Sequence, residues 1–162
     1  MKKFITTFFL LTFLFPVFSQ ESEFPDISIP DLNGNRVNIK SLSTEGKPVV
    51  LAFWATWCGP CMLELNAIND KMDDWKSETD FQFYAISLDD SKTVGRVQPM
   101  VNGKGWEFDI LLDTNNDLKR LLNFSTPPFT VIVKDGKILY RHVGYQPGAE
   151  DNLYEQIKGV IN

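Results

Sequence analysis

The chain is poor in residues that hold metals. Among its 162 residues are one histidine, His142, and two cysteines, Cys58 and Cys61. A structural zinc site asks for four nitrogen or sulfur ligands, so zinc is not expected and His142 reads as a packing or surface residue of a strand. Thiolate copper(I), which needs fewer ligands, stays open. Basic residues are scarce too, with 16 Lys and Arg against 21 Asp and Glu. No basic cluster offsets that balance, so neither nucleic acid nor an anionic lipid surface is an expected partner. Internal repeats and low-complexity runs are absent beyond residue 20. With 43% hydrophobic and 23% charged residues, what remains is ordinary globular material sufficient for one domain.

The first residues differ from the rest. Lys2 and Lys3 precede an apolar run from Phe4 to Phe18, broken by threonines and Pro16. That run is short of the roughly 20 residues that span a bilayer. Val17 and Ser19 stand two apart, as small-residue cleavage sites do. The pattern predicts a secretory signal over residues 1–19 and a single domain over 20–162. Since no cysteine follows the cut directly, a lipoprotein is not expected. Cleavage removes two lysines and no acid, leaving 14 basic against 21 acidic residues. In an exported protein a cysteine pair tends to become a disulfide unless something reduces it. A Cys58–Cys61 bridge closes a very small loop, so its staple value is small. Chemistry is a better reason than stability for this pair.

Along the chain, short apolar alternations flank Asn33-Gly34-Asn35, a hairpin signal. Pro48–Trp54, "PVVLAFW", is apolar on both alternating faces and suits a central strand covered on both sides. After Cys58 the period changes. Cys61, Leu65, Ile68, Met72 and Trp75 fall on one face of a helix, with Glu64, Asn66, Asn69, Asp70 and Asp73 filling much of the remainder. Phe81–Leu88 looks like a second strand, parallel to the first through a right-handed crossover. One helix is expected between Asp89 and Gly105, a strand over Phe108–Leu112 and a short helix over Asn115–Asn123. Asp135-Gly136 joins "FTVIV" to "KILYRHV" as an antiparallel hairpin. Leu153, Ile157 and Ile161 mark a C-terminal helix. Mixed parallel and antiparallel strands with helices on both faces give an α/β sandwich.

Asp113-Thr114-Asn115-Asn116-Asp117 is like the start of a calcium loop. Leu118 and Phe124 stand where that loop wants glycine and glutamate. These polar residues are expected to cap the helix that follows.

The strand-to-helix junction falls at Trp57–Gly59, so Cys58 sits where unpaired backbone N–H groups point outward. Those donors and the helix dipole favour a thiolate. Cysteines so placed can have a pKa of about 3.5–7.5, against about 8.5 when free. Cys61, further into the helix on its buried face, can attack a sulfur held on Cys58. Pro60 suits the first turn, where its missing N–H is not required.

"GKPVVLAFWATWCGPC" closely resembles the thioredoxin superfamily, and within it the secreted TlpA/ResA-like thiol–disulfide oxidoreductases. The resemblance runs from about Phe24 to Asn162 and implies a thioredoxin-like sandwich with an added N-terminal β-hairpin. It also implies a catalytic pair, Cys58 and Cys61, with Glu64 in the C-x-x-C-x-x-E pattern. Nearly one turn beyond Cys61, a partly buried Glu64 carboxylate could take a proton from that thiol. The alternative is a solvated surface glutamate. Cytosolic thioredoxins carry an aspartate on the preceding strand, where this chain has Ala52. The family's substrate groove implies roles for Trp57, Gly59 and Pro60, and for a cis-proline that matches Pro128. Pro127 precedes it and lacks the N–H that typically bonds a substrate main chain; Pro127 as the cis residue is the alternative. Asn66 stands where the family usually has a helix-kinking proline, so a straighter helix is expected.

By resemblance the function is extracytoplasmic or periplasmic thiol–disulfide exchange, in the reducing direction because Gly59-Pro60 matches reducing thioredoxins. Clients would be protein disulfides, such as those awaiting haem attachment in cytochrome c maturation. Electrons would come from a membrane-bound donor, and no cofactor or metal is implied. Two other readings are a thiol peroxidase, for which Thr56 lies near Cys58 but no arginine does, and a non-enzymatic copper(I)- or client-binding module. Cys61→Ser separates exchange from peroxidase chemistry. Disulfide reduction should stall at a mixed disulfide visible by mass spectrometry, whereas a peroxidase would still react once with peroxide.

Overall fold

The computed structural model describes residues 23–44 and 46–161; the signal segment read over residues 1–19 lies outside them. The chain enters through a small antiparallel hairpin, β1 (Ser28–Pro30) and β2 (Arg36–Asn38). Asp31 shapes its turn by accepting the backbone N–H groups of Asn33 and Asn35, both at 2.8 Å. This is the local side-chain bonding that makes Asp a turn residue. A four-residue helix, α1 (Ile39–Leu42), follows and had no counterpart in the sequence pattern, being too short to show a period.

Next come β3 (Val49–Trp54), α2 (Gly59–Glu78), β4 (Gln82–Ser87), α3 (Val97–Lys104), β5 (Asp109–Leu112), α4 (Asp117–Leu121), β6 (Phe129–Lys134), β7 (Lys137–Val143) and α5 (Ala149–Ile161). The main sheet has five strands in the order β5-β4-β3-β6-β7. β3, β4 and β5 are parallel, while β6 and β7 run antiparallel to their inner neighbours. The Asp135-Gly136 turn joins β6 to β7 with both residues at positive φ, 51° and 74°. Two positive-φ residues in succession match the right-handed twist of the strands they join.

β3 occupies the centre, and all six of its residues are buried. Successive side chains point to opposite faces, so both faces must be covered. Phe53 packs against Phe124 and Phe129, with ring centroids 4.8 and 5.7 Å away. Trp54 points the other way and meets Trp106 edge-on at 5.1 Å. The helical stripe read from spacing is the buried face of α2, Cys61, Leu65, Ile68, Met72 and Trp75, and Glu64 joins it. Further along, Trp75 stacks on Tyr154 of α5 at 4.9 Å.

The Asp113–Asp117 segment acts as a cap. Asp113 is buried at the end of β5, and its carboxylate accepts the Leu118 and Lys119 amides at 3.1 and 2.9 Å. Those are two of the orphan donors at the start of α4.

The core stripe of α2 is therefore what presses the helix onto the sheet. Ile68→Ala, at a fully buried position, should lower unfolding free energy by about 2–5 kcal/mol. Urea titration of the variant beside the parent measures it.

Candidate redox site

β3 ends at Trp54, and one tight turn carries the chain into α2, with the Cys58 N–H donating to the Ala55 carbonyl at 3.0 Å. Cys58 is the N-cap of α2, with extended backbone at φ −96° and ψ 98°. Its sulfur accepts the Cys61 N–H at 3.3 Å, in the place where a hydroxyl or carboxylate oxygen usually sits. A thiolate at Cys58 would meet the same donor and the positive end of the helix dipole. Here the two sulfurs are joined as a disulfide across a Cα–Cα distance of 5.3 Å. Cys61 has no exposed surface, whereas 6% of Cys58 is accessible. Of the two sulfurs, Cys58 is therefore the more accessible.

Glu64 is only 5% exposed, so the solvated-surface alternative does not describe it. It faces the sheet, where the Thr130 hydroxyl donates to Oε1 at 3.3 Å. Thr130 is the cross-strand partner of Ala52. The helix thus delivers a carboxyl beside the strand position that lacks one. Burial pushes the Glu64 carboxyl up to about 7, with the charge of Glu150 adding to the rise and the Thr130 hydroxyl opposing it. Glu150 is itself held by the Tyr145 hydroxyl at 2.8 Å, the Gly148 N–H at 3.0 Å and Lys71 at 3.4 Å.

At Asn66 the helix continues unbroken from Gly59 to Glu78. The Asn66 side chain accepts the Trp106 indole N–H at 3.0 Å, and Asn69 accepts the Glu107 N–H at 3.2 Å. An asparagine therefore ties the helix to the loop before β5, where a proline could not.

The peptide bond between Pro127 and Pro128 is cis. Phe129 opens β6 and pairs with Phe53, so Pro128 lies at the carboxyl end of β3, the end that carries Cys58. The Pro128 carbonyl accepts the Gly144 N–H at 2.8 Å. On the helix side, Gly59 and Pro60 are exposed, and Trp57 and Leu63 are 60% and 57% exposed. Pro60 and Leu63 stand three residues apart on α2, and Trp57 directly precedes the N-cap Cys58. Leu63 escaped the sequence pattern because it stands off the core stripe. Thr130 was missed as well; its one signal is a hydroxyl inside the apolar run of β6. Thr56 donates its hydroxyl to Asp89 at 2.5 Å, which commits it to that carboxylate rather than to the sulfur.

A Cys-x-x-Cys pair at the start of the helix after a central strand, with a cis-proline just before the neighbouring strand at the same sheet end, is the arrangement of thioredoxin-like thiol–disulfide oxidoreductases. The chain belongs to the Redoxin family, whose model matches residues 19–157, and within the thioredoxin superfamily to its TlpA/ResA-like members. It is 30% identical over 140 residues to the thiol-disulfide oxidoreductase ResA of Bacillus thuringiensis (strain Al Hakam), covering 86% of this chain and 75% of that one. A thioredoxin-like protein from Porphyromonas gingivalis superposes with a TM-score of 0.73 at 38% identity, over 85% of this chain and 90% of the other. A Chlorobium tepidum chain described as a thiol:disulfide interchange protein, DsbE, gives 0.76 at 28% identity, over 88% and 97%. The protein is a thiol–disulfide oxidoreductase.

Glu64 makes stability depend on pH. Its folded value near 7 lies above the ordinary 4.5, so between these values the folded chain holds a proton that the unfolded chain releases. Stability is therefore full below about pH 4.5, falls as pH rises to about 7 and then levels off. At about 1.36 kcal/mol per unit the loss is on the order of 3 kcal/mol. Glu64→Gln should abolish that slope when urea midpoints are followed from pH 4 to 8.

Proposed function

We propose that this protein acts outside the cytosol and reduces protein disulfides, with Cys58 as attacking thiol, Cys61 as resolving thiol and Glu64 as proton acceptor. The observation that carries this is the Glu64 carboxyl buried one helical turn from the fully buried Cys61, where burial pushes it up to about 7. The Cys58 thiolate attacks one sulfur of a client disulfide. A Cys58–client bond forms, and the other client sulfur leaves as a thiolate. Glu64 takes the Cys61 proton, and the Cys61 thiolate attacks the Cys58 sulfur. The Cys58–Cys61 bond forms, and the second client thiolate leaves. Two electrons have passed to the client, and the protein is left as the disulfide.

Reduction back to the dithiol needs a donor. An exported chain does not meet the cytosolic thiol pool, so a membrane-bound dithiol donor is the partner of choice. The Lys-Lys start, the apolar run and the Val17/Ser19 spacing support export, with the signal over residues 1–19 and the working domain over 20–162. Trp57, Gly59, Pro60, Pro127 and Pro128 form the client-binding rim. Pro127 offers the client no N–H, so side-chain contact with the exposed Trp57 carries more of the recognition. Cysteine pairs awaiting haem attachment in cytochrome c maturation suit such a reductant. The acidic balance of the chain leaves nucleic acid outside this scheme.

Equilibration against glutathione or thioredoxin buffers measures the potential of the Cys58–Cys61 pair. A value of about −270 mV or lower is expected of a reductant, whereas one near about −120 mV would make the protein an oxidant.

A further inference from the structure

Beside the redox turn lies a buried carboxylate that the exchange steps above do not use. Asp89 stands two residues past the end of β4 and has no exposed surface. A carboxylate so placed is costly unless donors surround it. Three do. Oδ2 accepts the Thr56 N–H at 2.8 Å and the Ser87 hydroxyl at 2.9 Å, and Oδ1 accepts the Thr56 hydroxyl at 2.5 Å. The Asp89 N–H donates back to the Ser87 oxygen at 3.1 Å.

The two ends of this network differ in what holds them. Asp89 stands on the sheet: Ser87 pairs with Trp54, Leu88 N–H donates to the Trp54 carbonyl at 2.8 Å, and Asp113 N–H donates to the Ser87 carbonyl at 2.8 Å. Thr56 belongs to the turn from Ala55 to Cys58, between the strand and the exposed Trp57. Both of its hydrogen bonds from backbone and side chain end on Asp89.

We propose that Asp89 is a positioning residue for the redox pair, clamping Thr56 to the sheet so that the turn presents Cys58 in line with the Cys61 amide. Cys58 is held at that amide by 3.3 Å, and a turn free to shift would lose the alignment. The dithiol form depends on it more than the disulfide does, because only the dithiol form carries a thiolate that needs the donor. In the disulfide form the S–S bond fixes the geometry covalently. Releasing the clamp therefore disfavours the reduced state. The proposal builds on the exchange reading above only in taking Cys58 as the attacking thiol.

The test is the redox equilibrium constant of the pair against a reference dithiol, read on the full mature chain, alongside its thermal midpoint. No client is used, so the outcome is independent of whether client disulfides are reduced or formed in the cell. Asp89→Ala and Thr56→Val, which both remove the bond between the Thr56 hydroxyl and residue 89, should each move the equilibrium toward the disulfide. The shift expected for Asp89→Ala is about tenfold, or about 30 mV. The double variant should shift no further than Asp89→Ala alone, since residues acting through one bond are non-additive. Thr56→Ser, which keeps the hydroxyl, should restore the parent constant to within about twofold of its value. If Asp89→Ala does not fold, the Thr56→Val and Thr56→Ser pair decides alone. A drop in thermal midpoint with an unchanged constant would reduce Asp89 to a scaffold residue and overturn the proposal. A shift toward the dithiol on Asp89→Ala, with none on Thr56→Val, would overturn it too, because loss of a nearby negative charge alone acts in that direction.

Discussion

Cys58 works as the N-cap of α2, and the remaining features of the redox site are arranged around that cap. The first turn of a helix has amides without partners, and here one of them points at a sulfur at 3.3 Å. The cap exists because β3 stops at Trp54 and a single turn delivers Cys58 to the helix start. That turn is clamped from the side by Asp89 and Thr56. The helix is pressed from behind by its own apolar stripe. Shift the helix start by one residue and the donor points at Trp57 or Gly59, and no sulfur is stabilised.

The same stripe explains how one helix can carry two opposite environments. Cys58 and Pro60 stand at the exposed end, while Cys61 and Glu64 follow at three-residue steps on the face turned to the sheet. Water is removed from Cys61 and Glu64 by the packing that stabilises the fold. Removing water raises the Glu64 carboxyl toward 7 and so brings it near the range in which a proton can be exchanged with a thiol. The arrangement costs stability at neutral pH, because a buried carboxyl resists ionisation. Thr130 lies opposite Ala52, a small residue on the strand, and its hydroxyl offsets part of that cost. Asn66 and Asn69 hold the middle of the helix by side-chain bonds to the 106–107 segment. A family proline at position 66 would have removed a helix bond instead.

Much of the fold was legible because its elements are long and periodic. The six apolar residues of β3, the 4-3-4-3 spacing of α2 and the Asp135-Gly136 turn each carry a local signature that tertiary contacts did not override. The one-turn α1 carried none. Cys58 and Cys61 were legible as a reactive pair from their place at a strand-to-helix junction. Glu64 was only half legible, since its spacing from Cys61 was plain but the same spacing fits a solvated face. Asp89, Thr130 and the Asn66–Trp106 bond were invisible, for each joins residues 33 or more positions apart.

By itself, the sequence determined the order of elements, the spacing of the thiol pair and its place at the strand-to-helix step, because all of these depend on residues within a few positions of each other. Only the tertiary structure decided that Glu64 is dry, that Thr130 meets it and that Thr56 serves Asp89 rather than the sulfur. Burial and long-range hydrogen bonds are properties of surfaces brought together by packing, and no local pattern contains them.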